Sequence, residues 1–64
     1  MTDAPEPKVG DVWKAPGVRE RRVERVYRYE DGDIWEIHYV TASDAHLILY
    51  GTWRAWVRKT GARP

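Results

Sequence analysis

The chain has 64 residues, no cysteine and a formal net charge of +1. A chain of this length forms one domain with a small core, because only about 60% of its unfolded surface is buried on folding. The lack of cysteine excludes disulfides and thiolate metal sites, so the core must come from aromatic and β-branched side chains. The aromatic residues are four Trp and four Tyr, rings whose polar groups favour interfaces.

The charges are distributed unevenly along the chain. Residues 15–29 carry five Arg and two Glu, residues 30–44 carry five acids and no Lys or Arg, and residues 52–64 carry four bases. Two interpretations stay open: the acidic middle pairs with its basic flanks across a sheet, or one basic face serves an acidic partner. The first is favoured, because exposed charge is the ordinary state of a small surface.

The N-terminal residues predict a tail and a soluble protein. Residues 1–8 hold two Pro and three charges without apolar periodicity, which predicts a flexible tail before a single domain over residues 9–62. This segment does not have the pattern of a signal peptide. The longest apolar run, residues 47–50, is too short to span a membrane. We therefore expect a cytoplasmic protein with no membrane partner.

Several short strands are predicted. Residues 9–15 form the first, and Pro16-Gly17 forms a turn after it, since Pro presets φ and Gly tolerates a positive φ. After a polar connection at residues 41–45, residues 46–51 predict a short, nearly all-apolar strand. Short antiparallel strands with tight turns predict a mainly β fold, a small barrel.

The clearest local signal is a β-hairpin. Residues 21–40, "RRVERVYRYEDGDIWEIHYV", are two strand-forming runs joined by Asp31-Gly32, a pair typical of a two-residue loop. Such a loop pairs Arg28 with Trp35. Both faces of the hairpin are then substantially apolar, which suits a strongly bent small barrel.

The last segment predicts a short helix over residues 53–60. Thr52 fits the N-cap and Gly61 fits the position after the helix. Its apolar side chains span an arc of about 100° and face inward, while its bases face water. A single longer helix over residues 43–59 also has good periodicity, so this alternative stays open. The predicted core is Val12, Trp13, Val26, Trp35, Ile37, Leu47, Leu49, Trp53, Trp56 and Val57.

The "VGDVW" at residues 9–13, the Arg-rich strand, the Asp-Gly hairpin and the closing "TWRAWVRKTGA" resemble small, mostly uncharacterised phage and prophage proteins with an SH3-like barrel. The resemblance covers residues 9–62. It implies a small SH3-like barrel of four to five short antiparallel strands with a short C-terminal helix, in a phage-infected or bacterial cytoplasm, and an accessory role. It brings no catalytic residues. The turn after Trp13 is too short for the acidic loop of SH3 domains that bind Pro-rich peptides, so we do not expect that activity.

Catalytic and metal sites are not indicated. The chain has no Gly-rich phosphate loop and no zinc-protease or serine-hydrolase motif. A metal site would need His38 and His46 with the hairpin acids, but their spacing matches no known ligand pattern, and both fit as ordinary strand residues. A barrel of this size has little room for a catalytic pocket. We expect no enzyme activity, no metal and no cofactor.

Abundant Arg and rings with polar tips predict a macromolecular partner, with protein ahead of DNA or RNA. The predicted contact residues are Arg21, Arg25, Arg28, Trp35, Arg54, Arg58 and Lys59. The alternative is single-stranded nucleic acid on an Arg-rich strand, with Tyr27, Tyr29 and Trp35 as stacking rings. A second copy of the chain is a further candidate partner, because a free strand edge can pair.

Overall fold

The computed structural model describes residues 5–64. Its elements are β1 (Val12–Ala15), β2 (Val18–Arg28), β3 (Ile34–Val40), β4 (Ala45–Leu49) and the helix α1 (Tyr50–Thr60). The strands form one antiparallel sheet in the order β1-β2-β3-β4. The mainly β class and the order of four strands followed by a helix are confirmed. The tail predicted over residues 1–8 begins outside the described residues, and within it Pro7 is buried.

The sheet is open, so the predicted closure into a barrel is not confirmed. β1 and β4 are its two edges and do not pair with each other. The outer edge of β1 is covered by the C-terminal segment: the Lys14 N–H donates to the Arg63 carbonyl at 2.8 Å, and the Arg63 N–H donates to the Lys14 carbonyl at 2.9 Å. The outer edge of β4 pairs with no strand of residues 5–64. Within residues 5–64, the β1 edge of the sheet is therefore covered by the C-terminal segment, whereas the β4 edge is not covered by another strand.

Both predicted turns are present, but the hairpin loop is one residue longer than predicted. The Pro16-Gly17 turn is confirmed, with its Gly at φ = +72°. In the hairpin, the Tyr29 N–H donates to the Asp33 carbonyl at 2.8 Å, which leaves residues 30–32 as a three-residue loop. Gly32 has φ = +94°, as the last position of such a loop requires.

Two bulges decide which side chains of the hairpin face the core. Glu24 is an extra residue in β2, and Trp35 is an extra residue in β3. The predicted pairing of Arg28 with Trp35 is therefore wrong, and Arg28 pairs with Ile34. Because a bulge shifts the alternation of side chains along its strand, Val23 and Ile34 lie in the core and Trp35 faces away from it.

The core lies between one face of the sheet and α1. Its buried side chains are Trp13, Val23, Ile34, Ile37, Tyr39, Trp53 and Ala62. Of the predicted core, Trp13, Ile37 and Trp53 are confirmed as buried. Val12, Val26, Trp56 and Val57 are half-buried. The prediction is wrong for Trp35, Leu47 and Leu49, which are exposed, because all three lie on the face of the sheet that α1 does not cover.

The helix is longer at its start than predicted, and its alternative extension into residues 43–49 is wrong because β4 occupies that segment. Its N-cap is Leu49, which makes no side-chain cap hydrogen bond, so the prediction of Thr52 as N-cap is wrong. Its end is confirmed: Gly61 has φ = +72°, and its N–H donates to the Val57 carbonyl at 2.8 Å. Trp53 enters the core and packs edge-on against Trp13, with ring centroids 5.6 Å apart.

Candidate functional site: the outward face of the sheet

The sheet has a covered face and a bare face. Side chains alternate along each strand, and the pairing places those of the bare face opposite one another across β2, β3 and β4. We call this surface the outward face; its residues are Arg22, Arg25, Tyr27, Tyr29, Trp35, Glu36, His38, Val40, Ala45, Leu47 and Leu49. No element of residues 5–64 packs over it as α1 packs over the other face.

An aromatic cluster occupies the hairpin end of the outward face. The Trp35 ring lies 5.8 Å from the Tyr27 ring and 6.2 Å from the Tyr29 ring, and Tyr27 lies 4.7 Å from the His38 ring. Tyr29 is 61% exposed and Trp35 is 36% exposed. The His38 Nε2 lies 2.7 Å from the Glu36 Oε2. This contact holds the side chains of Glu36 and His38 between the aromatic rings and β4.

An aliphatic strip continues the surface onto β4. Leu47 and Leu49 are 65% and 63% exposed, and they pair with His38 and Glu36 of β3. A shallow depression of about 270 Å³ adjoins the strip, and Arg25 is among the residues that line it. The outward face thus joins aromatic and aliphatic groups in one surface that water contacts.

Arg21 lies on the opposite face, where it packs on aromatic rings. It pairs with Trp13 across β1 and β2. Its guanidinium carbon lies 3.9 Å from the centroid of the Trp56 ring and 4.4 Å from that of Tyr39. Burial lowers the pKa of Arg21 below its ordinary value. The geometry is that of a cation–π contact that closes the edge of the core.

Arg28 is engaged at the hairpin loop. Its Nη1 donates to the Gly32 carbonyl at 2.6 Å, and its Nη2 lies 3.2 Å from the Glu6 Oε1. Nearby, the Arg54 guanidinium lies 5.9 Å from the Tyr50 ring centroid. Burial raises the pKa of Tyr50, and the charge of Glu6 raises it further. The contacts of Arg28 connect the hairpin loop to the N-terminal segment, and the charge of Glu6 acts on Tyr50 at the start of α1.

The structure divides the predicted contact residues between two sides of the molecule. Arg25 and Trp35 belong to the outward face. Arg21 and Arg28 are engaged with groups on the helix side, and Arg54, Arg58 and Lys59 are exposed on α1. The bases therefore do not form one continuous groove. Leu47 and Leu49, predicted as core residues, are surface groups. They alternate along β4 with His46 and Ile48, which lie on the covered face, and an all-apolar run carries no signal of which alternate side chains are exposed.

Comparison with known proteins finds no matching family, no similar characterised protein and no similar solved structure. Among residues 5–64, no helix has the length and apolar character needed to cross a membrane.

Proposed function

We propose that this protein is a non-enzymatic interaction module that binds a protein partner through the outward face. The observation that carries the proposal is the exposure of Trp35, Leu47 and Leu49 on a sheet face that nothing in residues 5–64 covers. Contiguous exposed apolar groups with polar neighbours mark interaction sites. Trp and Tyr commonly supply most of the binding energy at such sites.

Arg25 on the outward face favours a partner with an acidic group beside an apolar patch. Arg22 pairs with Val40 at the end of the face away from the hairpin loop, whereas Arg25 pairs with His38 beside the aromatic cluster. Arg22 is paired with Glu24 at 3.1 Å, whereas Arg25 makes no ion pair within residues 5–64. An exposed, unpaired Arg beside the aromatic rings attracts an acidic group of the partner and orients it.

The resemblance to small phage and prophage proteins with an SH3-like barrel adds a setting to this proposal. It suggests an accessory protein in a bacterial or phage-infected cytoplasm. The order of four strands and a closing helix is compatible with that resemblance, although the sheet described above is open. The role proposed here depends on the outward face and does not require a closed barrel.

Single-stranded nucleic acid is the second candidate ligand, favoured by the cluster of Tyr27, Tyr29 and Trp35. Bases stack on such rings when a basic groove follows the phosphates. Two features weigh against it: Glu36 lies beside the rings, and most of the predicted bases lie on the other side of the molecule. Protein therefore stays the preferred partner.

The proposed surface is tested by site-specific photo-cross-linking in bacterial cells. A photoreactive residue replaces Tyr29 on the outward face, and a matched variant carries it at Lys59 on α1. We expect a discrete heterologous adduct from position 29 only, and the additional change Trp35→Ser should remove it. Equal adducts from both positions, or none from position 29, would contradict the proposal. An adduct of twice the chain mass consists of two cross-linked copies of the chain and is not evidence of a different protein partner.

The nucleic-acid alternative is decided by an amide NMR titration with single-stranded DNA and RNA at two salt concentrations. Phosphate contacts weaken steeply as salt rises. Salt-sensitive shifts at Arg25, Tyr29 and Trp35 would favour nucleic acid over protein. Unchanged spectra at low salt would exclude nucleic-acid binding.

A further inference from the structure

The outer edge of β4 is an unprotected site for strand pairing, and we infer that two copies of this chain pair through it as a symmetric dimer. Exposed strand edges are templates for another strand, and proteins protect them with Lys, Pro, bulges or a covering segment. The segment Ala45–Leu49 has no Lys, Arg, Pro, Asp or Glu and pairs with β3 without a bulge. By contrast, the β1 edge is covered by Arg63.

The hydrogen-bond pattern shows which backbone groups of β4 are free. The Thr41 N–H donates to the Asp44 carbonyl at 2.8 Å, and the Asp44 N–H donates to the Thr41 Oγ1 at 3.2 Å, so the backbone groups of this pair face each other across the turn. Hydrogen-bonded and non-bonded pairs alternate in an antiparallel ladder. His46 and Ile48 therefore bond to β3, and the N–H and C=O groups of Ala45, Leu47 and Leu49 point away from the sheet.

These free groups are arranged for pairing about a two-fold axis at Leu47. In that register Leu47 faces its own copy, Ala45 faces Leu49 of the partner subunit, and each pair is hydrogen-bonded. A two-fold interface brings the same surface of both copies together, so a charged side chain there would lie opposite or beside the same side chain of the other copy and be repelled by it. The free strand has no Lys, Arg, Asp or Glu, and the net charge of the chain is only +1. Electrostatic repulsion between copies is therefore small.

The rest of the molecule leaves this edge accessible. α1 begins directly after Leu49 and packs its Trp53 against the covered face, away from the outer edge. The ring of His46 stacks on Tyr39 on that same covered side, with centroids 5.1 Å apart. Pairing would join two sheets into eight strands and make one continuous outward face from two copies. This dimer does not depend on the proposed function, because it needs no other partner.

Self-association is measured by analytical ultracentrifugation over micromolar to submillimolar concentrations. We expect the wild-type chain to reach twice its monomer mass. The change Leu47→Lys places two like charges opposite each other, so it should raise the dimer dissociation constant by about tenfold or more. Tyr29→Lys is the matched control, an exposed residue on the same face but away from the β4 edge, and it should leave the constant unchanged.

The register is tested with Leu47→Cys, which introduces the only cysteine of the chain. Hydrogen-bonded partners have Cα atoms about 5.5 Å apart, within the range that a disulfide spans. Mild oxidation should convert Leu47→Cys into a covalent dimer much faster than Tyr29→Cys. A monomeric wild-type chain at submillimolar concentration would overturn the inference. So would a dimer that Tyr29→Lys disrupts and Leu47→Lys does not, because that pattern means contact through the faces.

Discussion

Arg21 illustrates how one side chain can be assigned to binding from its sequence and to packing from its position. It lies among five Arg of residues 15–29, and nothing in the local pattern separates it from Arg25. The pairing of β1 with β2 places it opposite Trp13, and its guanidinium then covers Trp56. Only the tertiary contact between the helix and the sheet distinguishes the two residues.

The change Arg21→Ala should lower the free energy of unfolding by about 1–2 kcal/mol, because it removes a partly desolvated cation–π contact and the packing of the aliphatic stem. Arg25→Ala is the matched control on the same strand, and its effect should stay within about 0.5 kcal/mol. Urea unfolding of both variants measures the difference. Equal effects would show that Arg21 does not pack on the rings.

The tryptophans also differ in what their removal should cost. Trp53→Ala deletes a buried ring and should lower the free energy of unfolding by about 3–5 kcal/mol, enough to unfold much of a domain this small. Trp35→Ala, on the outward face, should cost about 1 kcal/mol. Circular dichroism melts of the two variants give the comparison. A stable Trp53→Ala variant would be inconsistent with the core described above.

At the scale of elements, the sequence predicted the strands, the turns and the end of the helix, but not the faces of the hairpin. Val26 pairs with Ile37, which is the register that a two-residue loop also gives, because the extra residue Trp35 in β3 offsets the extra residue of the loop. The bulges at Glu24 and Trp35 lie on either side of this pair. A bulge forms where the sheet bends over its core, and local strand propensity does not encode that bend. The predicted faces are therefore wrong beyond the two bulges.

Gly51, inside α1, and Gly61, the C-cap of α1, provide a matched test of the helix. Gly51 lies inside the helix with open space around its Cα, so Gly51→Ala should raise the free energy of unfolding by about 0.5 kcal/mol. Gly61 has φ = +72°, and Gly61→Ala should lower it by about 1–2 kcal/mol. Denaturant unfolding of both variants measures the opposite signs. Stabilisation by Gly61→Ala would contradict the left-handed cap.

At the scale of the molecule, the open sheet explains why the candidate site could be predicted only in part. Aromatic and basic residues indicated a binding role, and Arg25 and Trp35 lie on the outward face as a contact surface requires. The sequence predicts the aliphatic part of that face as core, because an all-apolar strand is typical of a buried one. Leu47 and Leu49 are exposed only because the chain turns into α1 at Tyr50 and covers the other face.

One face of the sheet is covered and the other is bare, and the indole N–H signals of Trp13, Trp35 and Trp53 test this difference most directly. A soluble paramagnetic agent broadens NMR signals of groups that it can approach. We expect strong broadening of the Trp35 indole signal and of the Leu47 and Leu49 methyl signals, with little effect on Trp13 and Trp53, whose Nε1 atoms are buried. Equal protection of Trp35 and Trp53 in a monomeric sample would contradict the account, because the outward face would then be covered.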